Sequence, residues 1–577
     1  MKYFKCIYLT IYLLSHFVVN AQKLSVVYHF YPNENKNAIS DKIPDSFNSK
    51  KQLKEYLQSL QKQLINEGYL AAGLDSIHLD STQTKVYFYI GNKYTLAKLN
   101  KGNVPESILS EIGFRERFYY NKPFSPNQIN KLFEKTITYL ENNGYPFAQI
   151  SLDSVIVANN EISASLHLNK GQFYTIDSVR IKGYKDFPKF YLFNQIKLKE
   201  GEPYNEKHIR EIEQNIAKIP FLTLAKSPEI LFLNDNCFVT LELKRKKSSK
   251  FDGIIGFLSD RETGKLSFTG DLKFKLINAL KRAETIEFNY KGMPNSTQKL
   301  IASASIPYMF RTPFGAGFDI NLFKKDTTFI SVQTKLQADY LLSANRAFSV
   351  FFENKSTSLL AQSYLQNLTA LPNYADVSSK SAGVSFLLNS TNDIVPSKGW
   401  LINIQASAGN RSVAKNPNIN ENLYQNLALS SNIYAFEWNI EKYFTLKGRH
   451  VILLKNQSAQ LINNQLFENE LFRIGGFSLL RGFNEESIFT SMYSIQTIEY
   501  HFLLEQRSYL LLFCDAGYYE KRIVNSFTHD TPYSFGAGIT FETKAGIFRL
   551  IYALGSQLGN PVDVKGTKVH FGFVNYF

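Results

Sequence analysis

Cysteine and methionine are scarce: 3 and 4 in 577 residues. Cys6 lies in the first apolar segment, which leaves Cys237 and Cys514, too far apart in the chain to found a disulfide framework. Both read as small apolar residues in strands. Beyond the N-terminus no stretch reaches the roughly 18 continuous apolar residues that a membrane-crossing helix needs, which excludes a helical membrane protein. Gly-x-Ser-x-Gly, His-Glu-x-x-His and any metal-spaced cysteine/histidine cluster are missing as well. The 9 histidines, His16, His29 and His78 among them, are scattered and read as structural or exposed. The chain is therefore not read as an enzyme, and no catalytic residue, cofactor or metal ligand is expected.

What is present begins with MKYFKCIYLTIYLLSHFVVNAQ. Lys2 and Lys5 precede an apolar run from Ile7 to Val19, and Val19-Asn20-Ala21 forms a small-residue site; this is the pattern of a secretory signal peptide, 1–21. Cys6 sits too early, with no small residues before it, to be a lipoprotein acceptor. The exported chain is rich in Phe (47) and Tyr (34). Without a spanning helix, such a chain is either a secreted β-protein or an outer-membrane barrel. Its formal charge of +15 points to anionic lipid headgroups rather than nucleic acid, which exported proteins rarely meet, with simple solubility as the alternative.

One pattern occurs three times between residue 23 and about residue 247. In the first copy Ser49-Lys-Lys-Gln52 predicts a capping box, followed by Leu53, Leu57, Leu60 and Leu64 at helical spacing and a stop at Gly68-Tyr69. Two strands follow, LAAGLDSIHLD and TKVYFYIG. In the second copy Ser125-Pro126-Asn127-Gln128 predicts another capping box, with proline at the first helical position. Ile129, Leu132, Thr136 and Leu140 line that helix, Gly144-Tyr145 ends it, and strands AQISLDSVIV and EISASLHLNKG come next. The third copy runs from TIDSVRIKGY through a helix near Asn205 to Ile216 into CFVTLELKRK. A strand–helix–helix–strand–strand unit of this kind resembles the POTRA domain. Pro105 to Ile112 and Pro188 to Ile196 supply the extra helix in the second and third copies, whereas YPNENKNAISDKIPDSF is poor helix material, so the first is expected to be shortened or irregular. The expected boundaries are 22–94, 95–173 and 174–248, with a barrel over 249–577.

After Lys244-Arg245-Lys246-Lys247 helical periodicity stops. In YSFGAGITF, Tyr533, Phe535, Ala537, Ile539 and Phe541 fall on one face and Ser534, Gly536, Gly538 and Thr540 on the other; LINIQASAG alternates in the same way. A lipid-embedded barrel requires this alternation, because every backbone group must pair inside the sheet. The expected fold class is α+β POTRA repeats followed by an all-β barrel of sixteen antiparallel strands, each about ten residues. The last strand, KVHFGFVNYF, carries Phe571 and Phe573 on one face and ends on Phe577. A terminal aromatic resembles the β-signal of outer-membrane proteins; Asn575, where an aromatic is usual, departs from it.

One stretch stands apart. FRIGGFSLLRGF, from Phe472, sets Arg481 among apolar residues and the glycines Gly475, Gly476 and Gly482. Arg481, Gly482 and Phe483 resemble the loop-six signature of the BamA/TamA outer-membrane assembly superfamily. SIQTIEYHF places Glu499, and LLFCDAG places Phe513, Asp515 and Gly517, where the family has acidic and aromatic-Asp-x-Gly strands. PYMFRTPFG, IVPSKGW and LINALKRAE also look like family segments. The resemblance implies a loop folded into the barrel lumen, with Arg481 paired to Asp515 and Glu499 by charge-assisted bonds. It also implies glycines that let the loop approach the wall.

The resemblance further implies a monomeric outer-membrane factor with periplasmic repeats. It would insert or assemble client proteins in contact with outer-membrane lipid and a periplasm-spanning or lipoprotein partner, without nucleic acid. Three repeats place it on the TamA-like side. A two-partner-secretion-type polypeptide transporter is the alternative; three repeats rather than two, and no lumen-plugging helix after the signal peptide, count against it. The expected lateral gate joins the first strand, with Gly253 and Gly256, to the last, with Gly572 and Phe577, because glycine weakens strands. Edge strands such as TKVYFYIG are expected to bind extended client segments.

Overall fold

The computed structural model describes residues 24–32, 39, 43–80, 83–259, 266–294, 296–343, 345–360, 368–391, 395–505, 507–562 and 567–577, with backbone alone for 256–259 and 266–268. The expected signal peptide, 1–21, and much of the segment in which the first copy was expected to lack a helix lie outside these residues. The chain divides into two compact units. One comprises Met1–Ser178, Glu200–Arg210 and Leu231–Phe238; the other comprises Val179–Lys199, Glu211–Ile230 and Val239–Phe577.

The first unit contains two four-stranded sheets backed by helices. In the first sheet the order is Ser46–Phe47, Leu24–Tyr31, Thr84–Tyr89, Gly73–Leu79. The helix Lys50–Asn66 starts where the Ser49 hydroxyl accepts the Gln52 N–H, and it buries Leu53, Leu57, Leu60 and Leu64. The Gln52 side chain reaches back to the Asn48 N–H at 3.0 Å. Leu24–Tyr31 pairs in parallel with Thr84–Tyr89, which places the latter strand in the middle of the sheet, with Val86, Phe88 and Ile90 fully buried. TKVYFYIG therefore offers no free edge, contrary to expectation; the edge strand is Gly73–Leu79.

The second sheet runs Lys122–Pro123, Thr95–Asn100, Glu161–Asn169, Gln149–Ala158, with helices Glu106–Ile112 and Pro126–Glu141. Ile129, Leu132, Thr136 and Leu140 are buried on the long helix. Ser125 occupies its N-cap but makes no side-chain cap bond, so the expected second capping box is absent. The open N–H groups are met otherwise: Gln128 donates to the Ser125 carbonyl at 3.0 Å, and Asn127 donates to the Asn66 side chain at 3.1 Å. The edge strand Gln149–Ala158 bulges between Asp153 and Ile156 and leaves Val155, Ile156 and Val157 exposed.

Thr175–Gly183, Leu222–Leu224, Glu229–Leu233 and Asn236–Arg245 form a third four-stranded sheet, accompanied by helices Lys189–Ile196 and Glu206–Ala217. Cys237 is fully buried there, and burial pushes its thiol up to about 11.

From Lys250 onward the strands close into an antiparallel barrel. Ser526–Asp530 and Tyr533–Thr543 both pair with Ser508–Ile523 and form one interrupted strand, which brings the count to sixteen. Tyr533, Phe535 and Phe541 face outward, while Ser534 and Thr540 are fully buried on the lumen side. No helix among the described residues is long and apolar enough to cross a membrane; the crossing is made by strands. Several strands exceed the expected ten residues, reaching 16 in Gly399–Ala414 and Ser430–Thr445.

Candidate functional site: the loop inside the barrel

Between the strands His450–Ile462 and Met492–Glu505 the chain does not turn directly. It folds inward over residues 463–491, with a 3-10 turn at Glu468–Glu470 and a short two-stranded piece, Phe472–Ile474 with Ile488–Thr490. Arg481 is at the centre of this loop. Its Nε donates to Asp515 Oδ2 at 2.9 Å, Nη2 to Asp515 Oδ1 at 2.6 Å, and Nη1 to Glu499 Oε1 at 2.5 Å. Its backbone N–H adds a further bond to Asp515 at 3.2 Å. The guanidinium lies 3.7 Å from the centre of the Phe513 ring, a cation–π contact on the face that the carboxylates leave open.

The partners are held in turn. Asp515 accepts from Thr497 at 2.8 Å and Ser534 at 3.3 Å, and Glu499 shares its second oxygen with His501 Nε2 at 2.7 Å. Strand alternation explains the convergence. Thr497, Glu499, Phe513, Asp515 and Ser534 all occupy lumen-phase positions on three neighbouring strands, and register pairs Thr497 with Asp515 and Asp515 with Ser534. Arg481 and Asp515 are almost inaccessible, at 8% and 1% side-chain exposure. Such a bidentate pair resists solvent screening and fixes orientation as well as charge.

Gly482 takes φ +83°, and a Cβ there would meet the Leu554 and Gly555 backbone at 2.8 Å, so only glycine permits this approach to the wall. Phe483 is buried against Gly555. Gly475 and Gly476 take φ +108° and +94° where the loop folds on Asn484 and Glu485. At Gly517 an added Cβ would meet Pro532 and Ile495 at 3.4–3.5 Å, ordinary contact, so space there does not demand glycine.

The closing seam pairs Lys250–Ser259 with Lys568–Tyr576 in nine register positions, from Lys250↔Tyr576 to Leu258↔Lys568. Gly253 faces Phe573, Gly256 faces His570, and Gly572 faces Ile254. Phe577 lies just past the ladder, its N–H on the Ser249 carbonyl at 2.9 Å. A Cβ at Gly253 or Gly572 would meet nothing nearer than 3.7 Å.

Sequence reasoning missed a second set of charges on the same loop. Lys291 Nζ bonds Glu485 at 2.6 Å, and Lys299 Nζ bonds Glu486 at 2.6 Å. Arg473 Nε reaches Glu486 at 3.1 Å while its guanidinium covers the Phe323 ring at 3.6 Å. Near the loop's start Arg411, fully buried, forks onto Glu470 at 2.6 and 2.7 Å. The available signal was Glu485-Glu486 directly after the motif, together with lysines in lumen phase on two strands. Among the described residues no group of three or more His, Cys, Asp and Glu is arranged to hold a metal ion.

A model described as the Omp85 superfamily domain matches residues 278–577, more than half of the chain, and the chain belongs to that superfamily. A second model, POTRA, described as a surface antigen variable number repeat, matches residues 174–223. Among solved structures the chain is similar to CdiB from Acinetobacter baumannii (14% identity, TM-score 0.52) and to CdiB from Escherichia coli (14%, TM-score 0.51); each alignment covers 91% of this chain and 97% of the other. BamA from Haemophilus ducreyi lacking POTRA domains 1–3 aligns over 84% of this chain and 100% of its own, at 12% identity and TM-score 0.47. No curated protein matches. The chain is an outer-membrane barrel with periplasmic POTRA repeats, in a family that inserts or translocates polypeptides at that membrane.

Proposed function

We propose that this chain inserts client β-strands into the outer membrane by parting its own seam, and that it is a non-enzymatic assembly factor. One observation carries the reading: Gly253 and Gly572 face each other's strands although neither space nor backbone angle requires glycine there. A glycine that relieves no clash only weakens its strand, through backbone entropy and lost packing. The seam, with nine register pairs, then opens at lower cost than the long strand pairs such as Asp376–Asn389 with Gly399–Ala414, which has fourteen, and an incoming strand pairs with the freed edge while its apolar face meets lipid.

In this reading Arg481, Asp515, Glu499 and Phe513 anchor the lumen loop to the barrel rather than reacting with anything. The repeats, with boundaries 22–94, 95–173, 174–248 and the barrel at 249–577, deliver the client. Their exposed edges Gly73–Leu79 and Gln149–Ala158, rather than Thr84–Tyr89, take the extended chain. Lipid is the second partner: outward-facing Lys442 lies 4.4 Å from the Trp400 ring at the periplasmic end of the barrel, an interfacial anchor.

The test is a seam lock. Ile254→Cys and Gly572→Cys, in register, are placed in a chain lacking Cys237 and Cys514. The oxidised protein is expected to lose outer-membrane assembly and the reduced one to keep it; full assembly by the locked protein refutes lateral opening. Depletion followed by outer-membrane proteomics separates the alternative: loss of many barrel proteins supports assembly, and loss of one secreted partner supports a two-partner-secretion-type transporter.

A further inference from the structure

The lumen loop touches the barrel on both sides of the seam. On the side of the last strands, the Phe477 ring packs edge-on against His570 of Lys568–Tyr576 at 5.5 Å, and Gly482 and Phe483 press on Leu554 and Gly555 of Gly546–Ser556. On the side of the first strands, Glu485 bonds Lys291 of Thr285–Met293 and Glu486 bonds Lys299 of Thr297–Ile306. Lys291 also reaches Asp271 of Leu266–Ile277 at 3.4 Å. Between these attachments lies the one junction at which the barrel closes on itself.

We infer that the loop is a charged strap across the inner face of the seam, and that Glu485 and Glu486 are positioning residues forming its releasable end. The inference rests on the lateral-opening reading above. A loop fixed to one wall would leave the seam free to part; a loop fixed to both walls must let go of one before the strands separate. The two ends differ in strength. At the Arg481 end a planar guanidinium forks onto a carboxylate that accepts from three further donors, namely the Arg481 backbone N–H, Thr497 and Ser534. At the other end each contact is a lysine point charge on a flexible stem, with side chains 9–16% exposed. With no fork to hold its geometry, this end releases first. The strap is therefore a hinged lock: Arg481 keeps the loop in the lumen while the Glu485–Glu486 end detaches.

The experiment uses the full-length chain in phospholipid vesicles, with Cys237 and Cys514 replaced and spin labels at residues 255 and 571, which face each other across the seam. In Glu485→Gln/Glu486→Gln the wide-distance population is expected to rise by about tenfold, the order that follows from losing charge-assisted bonds. Lys291→Gln/Lys299→Gln is expected to do the same, and heat-modifiable migration reports which variants are folded. The charge swap Lys291→Glu/Glu485→Lys is expected to return the population toward the parent, which a mere packing role would not. An unchanged distance distribution in both glutamine variants, or a swap that restores nothing, overturns the strap. Because the readout is the seam itself, it answers even if the disulfide-locked protein still assembles clients and the lateral-opening reading fails.

Discussion

The two halves of the barrel wall are built differently. From Phe329 to Ile523 the strands are 13 to 16 residues long, whereas those flanking the seam, from Lys250 to Ile306 and from Gly546 to Tyr576, are 9 to 12. Asp376–Asn389 meets Gly399–Ala414 in fourteen register pairs; the seam has nine. Glycine carries opposite meanings in the two places. A Cβ at Gly383 would lie 2.4 Å from the Phe351 ring and 2.5 Å from the Ala406 carbonyl, and at Gly409 it would lie 2.2 Å from the Lys380 carbonyl. Those glycines are demanded by packing. At Gly253 and Gly572 the same atom finds ordinary contact at 3.7 Å. Gly383 and Gly409 thus let long strands pack closely, whereas Gly253 and Gly572 stand in the two seam strands where nothing requires glycine, so the difference between these pairs is one of mechanical strength.

The largest effect is expected from removing what anchors the loop to the long wall. Arg481→Ala leaves Asp515 and Glu499 buried without their cation, and is expected to cost about 3–5 kcal/mol, less where water enters. Arg481→Lys keeps the charge but loses the fork and is expected to recover only part of it. Urea unfolding of the barrel in detergent measures both. A smaller contrast comes from the glycines. Gly409→Ala is expected to destabilise the barrel by about 1–3 kcal/mol through overpacking. Gly572→Ala is expected to be neutral or stabilising by up to about 1 kcal/mol while slowing client insertion. Equal destabilisation at both sites would erase the distinction between the walls.

The repeats show how much the sequence conveyed. The helices were legible because Leu53, Leu57, Leu60 and Leu64, and likewise Ile129, Leu132, Thr136 and Leu140, recur at helical spacing and are buried. The barrel was legible because lipid and lumen impose alternation on every strand. Sheet order was not: Thr84–Tyr89 alternates like an edge strand, yet the parallel pairing with Leu24–Tyr31 puts it in the centre. Alternation reports burial of faces and says nothing of neighbours. Nor was the Ser125 cap predictable, since its work is done by its own carbonyl and by Asn66, 61 residues away from Asn127. Arg481 and its partners were legible through a resemblance spanning several strands. Glu485-Glu486 stands close behind the motif and Lys291 in lumen phase, but nothing local ties the two together across 194 residues.

Client capture gives a third, binary contrast. Photo-crosslinkers at Val155 to Val157 are expected to trap unfolded barrel precursors, and the same groups at Val86 and Phe88 are expected not to. Capture at the buried pair alone would contradict the edge assignment. The smallest effect lies where Glu141 stands near Glu206. Burial first, and then the Glu206 charge, raises the Glu141 pKa above the usual carboxylate value. A raised carboxylate pKa favours the protonated folded state, so the ionised group lowers stability above that pKa, and the penalty disappears as pH falls below the ordinary carboxylate range. Glu141→Gln is therefore expected to gain a few tenths of a kcal/mol at neutral pH, because the group is only part-buried and is screened by solvent, and nothing in acid. Thermal unfolding of the protein at two pH values reads the difference.

The central claim is that the short wall opens and the long wall does not. Its most direct measurement places photo-crosslinkers at outward-facing Ile255, beside the seam, and at outward-facing Ile404, in the long wall, while a client barrel is stalled during insertion. The account predicts client strands captured at residue 255 and none at residue 404. Equal capture at the two positions, or capture at residue 404 alone, would contradict it.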